Sequence, residues 1–330
     1  MTKTYQLVGI GNAIVDVISQ HDDDFLAHMG IEKGIMQLVE TDRAEVLYAA
    51  MQERHQAPGG SVANSIAGAG ALGLKTAFIG RVHDDALGQF YAKGMEETGV
   101  AFVNAPVPEG ELPTSRSMIF VSPDGERSMN TYLGISSELG PDDVDEKIAA
   151  DTDVMFLEGY LFDKDKGKEA FYKAARACRA AGGKTGIAIS DPFCVDRHRA
   201  DFLTLIENEM DYVIGNEDEI KSLFETDDLD DALEKTAKLC ELVVCTRSGD
   251  GVSVMQNGTR TDVSVEKVKV VDATGAGDQF AAGFLFGLAT GKDVETAARM
   301  GSVAAREVIS HIGPRPEQSV AELMKATGLL

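Results

Sequence analysis

Residues 271–285 read VDATGAGDQFAAGFL. Three small residues, Gly275, Ala276 and Gly277, stand between Asp272 and Asp278, and the chain then becomes apolar. An apolar run before such a turn and a helix after it put backbone N–H groups at a helix N-terminus, where they and the macrodipole attract an anion. Small side chains let that backbone approach a phosphoryl group closely. The helix is expected to begin near Gly277 or Asp278. Asp278 is then a negative charge at the mouth of an anion cradle that carries no lysine. The arrangement makes chemical sense if the carboxylate serves a second reactant, accepting the proton of a hydroxyl as it attacks phosphorus. The helix N-terminus is expected to favour its ionised form. A simple N-cap aspartate after a glycine turn would use the same residues.

Upstream, YQLVGIGN reads as a buried strand ending in glycines where the chain must turn. VDVISQ and GIMQLVE follow as short strands with partly polar faces, and Val46, Leu47, Ala50 and Met51 make one face of a helix. In APGGSVANSIAGAGALG, residues 57–73, a helix starts near Ser61. The stretch TSRSMIFVSPDGERSMNTYL holds two extended runs joined by a turn, with Asp124-Gly125 as a hairpin signal. Beyond it, DVMFLEG, KTGIAISD, MDYVIGN, LVVCTRS, VSVMQ and VEKVKVV alternate with helical segments, the pattern of a parallel sheet covered on both faces. One α/β domain over residues 1–330 is expected, with a small β lid from segments of about 14–41 and 100–135.

The 54 acidic and 31 basic side chains give a net charge of −23. That field repels nucleic acid and anionic membrane surfaces. No apolar run approaches the roughly 18 residues a membrane span needs, and MTKTYQLVGIGN lacks a secretory pattern; a cytoplasmic location is expected. Cys178, Cys194, Cys240 and Cys245 form no CxxC pair and read as reduced structural thiols. Other nucleotide motifs are absent or broken. GGKT at 182–185 has Cys178 where a P-loop needs its first glycine and sits between a helix and a strand, the wrong order. Gly9 and Gly11 begin a dinucleotide fingerprint whose third glycine position is Ile14.

Two stretches in this order, GGSVAN at 59–64 and DATGAGD at 272–278, resemble the signature regions of the ribokinase-like (PfkB) carbohydrate and nucleoside kinases, and the likeness runs over nearly the whole chain. It implies a three-layer α/β/α sandwich with a mostly parallel central sheet and a β-sheet lid. The reaction implied is transfer of the ATP γ-phosphoryl group to a hydroxymethyl group, with Asp278 as catalytic base and Gly275, Ala276 and Gly277 as anion hole. Asn216 and Glu219, in GNEDE, match the family's NxxE motif, where Glu219 helps hold hydrated Mg²⁺ through water. Thr246, Ser248 and Gly251, in TRSGDG, match its T-x-G-x-x-G nucleotide segment, with Ser248 standing where glycine is usual. Asp272 and the backbone near Gly313 resemble the region where many members bind a monovalent cation such as K⁺.

The resemblance also assigns an acceptor site. Asn12, Asp16 and Asn64 offer donors and acceptors to vicinal hydroxyls, and Gly59 and Gly60 let a ring approach. The asparagine lies four residues before Asp16, as in adenosine kinases, and DPFCVDRH at 191–198 resembles their S/A-PF motif. Gly159 and Tyr160 match a glycine-aromatic pair of that subfamily, and Tyr160, Phe162 and Tyr132 are candidates to stack on a base. Glu158 points to ribokinases, which carry a glutamate there that contacts a sugar hydroxyl. The expected acceptor is a ribonucleoside, adenosine favoured. A free sugar such as ribose or fructose is the alternative, and a non-catalytic nucleoside sensor a third reading. Arg127 is a candidate either for approaching phosphates or for a lid salt bridge. A monomer and a homodimer both fit the strand pattern.

Overall fold

Neighbouring residues of the first strand, Leu7 and Val8, pack into two separate hydrophobic cores, as a sheet covered on both faces requires. The computed structural model describes residues 3–108 and 112–330. In chain order its strands are β1 (Tyr5–Ile10), β2 (Ile14–Gln20), β3 (Met36–Leu38), β4 (His55–Gly59), β5 (Thr76–Ile79), β6 (Val100–Phe102) and β7 (Ser115–Val121). They continue with β8 (Arg127–Tyr132), β9 (Thr152–Glu158), β10 (Lys184–Ala188), β11 (Tyr212–Asn216), β12 (Leu242–Thr246), β13 (Val252–Gln256) and β14 (Thr259–Val263).

The larger sheet has the order β14-β13-β12-β11-β10-β9-β1-β5-β6. From β12 to β6 all neighbours pair in parallel. Helices Ser61–Ala71 and Ala276–Ala289 cover one face through Ile66, Phe280 and Phe284. Helices Asp165–Ala180 and Pro192–Glu209 cover the other through Phe171 and Phe202. The α/β architecture with a mostly parallel large sheet and a second, smaller sheet is the one expected. From β1 the chain goes through the smaller sheet to β5 on one side and later returns to β9 on the other. The carboxyl ends of β1 and β9 therefore flank a topological switch point, where open α/β sheets bind ligands.

The smaller sheet has the order β3-β8-β7-β2-β4, and the Asp124-Gly125 turn joins β7 to β8 as expected. Its composition departs from the expected segments. Residues 55–59 form β4, an edge strand that tolerates Pro58 because its outer side needs no ladder donor. Val100–Phe102 instead extends the larger sheet beside β5.

Two further expectations are corrected at the other end of the larger sheet. VSVMQ is antiparallel to β12, and VEKVKVV is not a strand. Asn257 and Gly258 both take positive φ, 50° and 76°, the geometry of a tight two-residue hairpin. That turn folds TRTDV back as β14 along β13 and occupies the sheet edge. The following segment, with Val270 and Val271 each 54 % exposed, lines a cleft. The Asn-Gly pair was the signal for this hairpin.

Candidate active site

Asn12 follows β1 and Glu158 ends β9, so the switch point brings them together. Glu158 is 1 % exposed. Its Oε1 accepts from Asn12 Nδ2 at 2.8 Å and Asn12 N at 3.2 Å, and its Oε2 accepts from Val62 N at 3.0 Å. Burial pushes its carboxyl up to about 7, and the donors from Val62 and Asn12 oppose that shift. Glu158 thus brackets two backbone segments and the Asn12 side chain. The Nδ2 bond to Glu158 fixes the amide with its second Nδ2 hydrogen still available, and Ser136 Oγ shares its one hydrogen between Asn12 Oδ1 at 3.0 Å and Leu133 O at 2.8 Å.

Asp16 sits in the middle of β2, packed so closely on Gly59 that a Cβ there would lie 2.5 Å from its Oδ2. The carbonyl of Gly59 is in turn held by the Tyr91 hydroxyl at 3.1 Å. Among the described residues no group donates a hydrogen bond to the Asp16 carboxylate. Burial raises it to about 7, with the nearby Arg315 charge pulling it down and Asp278 pushing it up.

Asp278 is in the first turn of the helix Ala276–Ala289, which starts slightly earlier than expected because Gly275, at φ 78°, supplies the N-cap. Ser61 Oγ donates to its Oδ1 at 2.7 Å and Asn64 Nδ2 to its Oδ2 at 3.0 Å. Each oxygen keeps a lone pair. Burial raises the carboxyl to about 6, against the lowering by Ser61, Asn64 and Arg315. It remains mostly ionised at pH 7, in the range where a general base works best.

The cradle beside it is built two ways. A Cβ on Gly275 would meet Pro314 Cα and O, both at 2.6 Å, whereas a Cβ on Gly277 would meet nothing within 4 Å. Gly277 and Ala276 face a cavity of about 660 Å³, also lined by Asn216, Thr246, Ser248 and Gly251. Ser248 has φ 49°, a left-handed conformation that glycine adopts without strain, which explains why glycine is usual at this place. Gly251 has φ 100° and a Cβ there would run into the Val263 carbonyl.

Asp272 is a junction. Its Oδ1 accepts from Thr274 N at 3.0 Å and Thr274 Oγ1 at 2.6 Å, and its Oδ2 from Gly313 N at 2.9 Å. Arg127 Nη2 approaches the same Oδ2 at 2.9 Å, in a pair almost closed to solvent. Burial pushes Asp272 up, but the Thr274 and Gly313 bonds and the Arg127 charge hold it below the usual carboxylate range. The structure thus brings Asp272 and Gly313 together as a hydrogen bond. With both carboxylate oxygens taken by donors and a guanidinium alongside, these two groups do not suit a K⁺ ion.

Asn216 caps the helix Glu217–Ser222. Its Oδ1 accepts from Glu219 N at 2.9 Å, and Glu219 accepts in return from Asn216 N at 2.9 Å and Nδ2 at 2.6 Å. Burial raises Glu219 to about 7. Each of its oxygens keeps a lone pair for a water, which fits outer contact with hydrated Mg²⁺. Among the described residues no cluster of three His, Cys, Asp or Glu side chains could grip a metal directly.

The aromatic candidates separate. Phe162 is 1 % exposed and stacks on Phe202 with ring centroids 4.1 Å apart, a core role. Tyr132 is buried on the smaller sheet beside Arg116, its hydroxyl accepting from Thr41. Tyr160 is half-buried and close enough to feel Glu158, Glu219 and Asp278. Sequence reasoning missed Ser61, Ser136 and Arg315. Ser61 lies inside the quoted GGSVAN stretch; the other two are marked by no local pattern.

A model for the pfkB family of carbohydrate kinases matches residues 32–320. The crystal structure of a probable sugar kinase from Rhizobium etli CFN 42 is 42% identical, with a TM-score of 0.91, covering 99% of this chain and 100% of its own. The adenosine kinase from Sinorhizobium meliloti is 45% identical, with a TM-score of 0.90, covering 98% of this chain and 99% of its own. The 5-dehydro-2-deoxygluconokinase of Bacillus licheniformis is 30% identical over 275 residues, 80% of this chain and 85% of its own length. A match over so much of its length, on this fold, leaves one assignment: the chain belongs to the pfkB family of carbohydrate kinases and is an ATP-dependent kinase.

Proposed function

We propose that the enzyme transfers the γ-phosphoryl group of ATP to the hydroxymethyl group of a ribonucleoside, adenosine foremost. The acceptor hydroxyl lies against Asp278, which takes its proton as the oxygen attacks phosphorus. The bond from phosphorus to the β-phosphate oxygen breaks, and ADP leaves. The N–H groups of Gly275, Ala276 and Gly277 hold the migrating phosphoryl group, and Asn12, Asp16 and Asn64 hold the acceptor against Gly59 and Gly60. Glu158 acts through Asn12. ATP occupies the cavity lined by Thr246, Ser248 and Gly251, and Mg²⁺, reached from Glu219 through water, would neutralise phosphate charge there.

The observation that carries the nucleoside reading is a row of side chains across the smaller sheet. Register pairs Asp16 with Ser117, Ser117 with Thr131, and Thr131 with Leu38. Lateral neighbours in a sheet point to the same face, so all four share the face on which Arg127 reaches Asp272. Three strand spacings make the row roughly 14 Å long. It starts at a carboxylate suited to ribose hydroxyls and ends at Leu38, 56 % exposed, with Met36 beside it at 46 %. A single sugar ring at Asp16 would leave that apolar end uncovered; a nucleoside base would cover it. The Sinorhizobium meliloti relative supports the same reading.

The free-sugar alternative draws on the Bacillus licheniformis relative. Against it, the Glu158 carboxylate is buried and engaged by donors from Asn12 and Val62. A panel of adenosine, other ribonucleosides, ribose, fructose and 5-dehydro-2-deoxygluconate, each with Mg-ATP, decides by ADP release. Adenosine is expected to exceed the free sugars in kcat/KM by about 10²-fold or more, as a desolvated base should. A free sugar matching or exceeding adenosine would overturn the assignment.

A further inference from the structure

Three carboxylates cluster at and behind the acceptor site, those of Asp16, Glu158 and Asp278, and the Asp278 charge raises each of the other two. The loop after the helix Val294–Val308 sends one cation among them. That loop is pinned at several points. Glu307, whose side chain is wholly buried, accepts from Glu317 N at 3.0 Å, from Gln318 N at 2.8 Å and faces His311 Nε2 at 3.2 Å. Gln279 Nε2 donates to Pro314 O at 3.2 Å, and Gly313 N donates to Asp272. From this fixed frame the Arg315 side chain enters between the helices Ser61–Ala71 and Ala86–Glu97, with Nη2 3.8 Å from the Met95 sulfur.

We propose that Arg315 is a positioning residue for the catalytic base, acting through Asn64. Arg315 Nε donates to Asn64 Oδ1 at 3.2 Å, and Asn64 Nδ2 donates to Asp278 Oδ2 at 3.0 Å. Asn64 is 4 % exposed, so its amide oxygen depends on a protein donor. With a guanidinium on one side and a carboxylate on the other, only one orientation of the amide satisfies both ends. Removing Arg315 leaves a buried carbonyl oxygen without a partner and loosens the donor that holds Asp278. It also removes positive charge from beside Asp278 and Asp16, both of which Arg315 draws downward. The other groups facing Asp278 are Ser61 and Asn64, which donate to it, and Asp16, Glu158 and Tyr160, which would share its negative field. Arg315 therefore adds a lowering charge to the Ser61 and Asn64 hydrogen bonds that favour the ionised base, and it fixes one of those two donors.

This rests on Asp278 being the base, and the two ideas fail separately. Asp278→Asn tests the base alone. For the relay, kcat with saturating adenosine and Mg-ATP is measured from pH 5 to 9 for wild type, Arg315→Met and Arg315→Lys, with ATP affinity as the check of fold. In Arg315→Met the acid limb is expected to move upward by about one pH unit, a tenfold change in the ionised fraction below the limb, with kcat at pH 7 down about 10-fold or more. Arg315→Lys keeps the charge and is expected to return the limb to its wild-type position. Where the methionine variant fails to bind ATP, Arg315→Gln, which keeps a donor for Asn64 and drops the charge, reads the same limb. A loss equal at every pH with no shift of the limb, or a wild-type profile in the methionine or glutamine variant, overturns the proposal. Asp278→Asn retaining activity would instead remove the base itself.

Discussion

Asp278→Asn is expected to lower kcat at pH 7 by about 10²–10⁴-fold, the usual loss when a general base is removed. The substitution is nearly isosteric, and its hydrogen bonds can be kept. The amide oxygen can accept from Asn64 Nδ2 as the carboxylate does, and the amide nitrogen can donate to Ser61 Oγ, whose hydroxyl then rotates. Fold and ATP affinity should therefore persist, and the lost activity reports on proton transfer alone. The wild-type pH profile follows from the same residue. Only the ionised carboxylate can accept the proton, and burial raises it to about 6. Wild-type kcat is thus expected to fall tenfold per unit as pH drops below about 6 and to level off above it. The asparagine variant should lack that limb. Stopped-time ADP release across pH checks both points, and a variant with near wild-type turnover would remove Asp278 as base.

The second large effect separates two neighbouring glycines. Gly275→Ala places a Cβ 2.6 Å from the Pro314 backbone and forces φ 78° on a residue that resists it. The loop has to shift, so both stability and turnover should fall, the latter by about 10²–10³-fold as for loss of an oxyanion-hole donor. Gly277→Ala adds the same methyl group into open space on the cavity side. In the first turn of a helix alanine costs nothing relative to glycine, so the melting temperature should hold or rise. The methyl stands where the phosphoryl group must come, and kcat/KM for ATP should still drop by about 10-fold or more. Thermal melts paired with kinetics on both variants make the comparison. A Gly277→Ala enzyme with unchanged kinetics would show that the cradle does not receive the phosphate.

What could be read from the sequence divides along a physical line. The DATGAGD loop and its flanking helix were legible because glycine conformation, helix polarity and apolar patterning are all local. So were the parallel strands from DVMFLEG to LVVCTRS, whose continuous apolar runs need cover on both faces. The edge of the larger sheet was misread where VEKVKVV competed with TRTDV, although the Asn257-Gly258 turn decided the matter. The chemistry of the site was only half legible. Ser61 and Asp278 are 217 residues apart, Ser136 and Asn12 124, and Arg315 and Asn64 251. Such pairs exist only once the sheet is assembled. The same holds for Glu158: the resemblance to ribokinases implied a sugar contact, and only the assembled fold shows its carboxylate accepting from Asn12 and Val62. The burial that raises Asp278 was not legible locally either, because the cleft closes around the side chain only in the assembled fold.

The most direct test is a crystal structure of the Asp278→Asn enzyme with adenosine and a non-hydrolysable ATP analogue. The side chain at 278 is expected within roughly 3 Å of the 5′-hydroxyl oxygen, the reach of a general base, with the backbone N–H groups of Gly275, Ala276 and Gly277 turned toward the terminal phosphate. A hydroxymethyl group bound well beyond hydrogen-bond reach of residue 278, or a terminal phosphate held elsewhere, would contradict the mechanism.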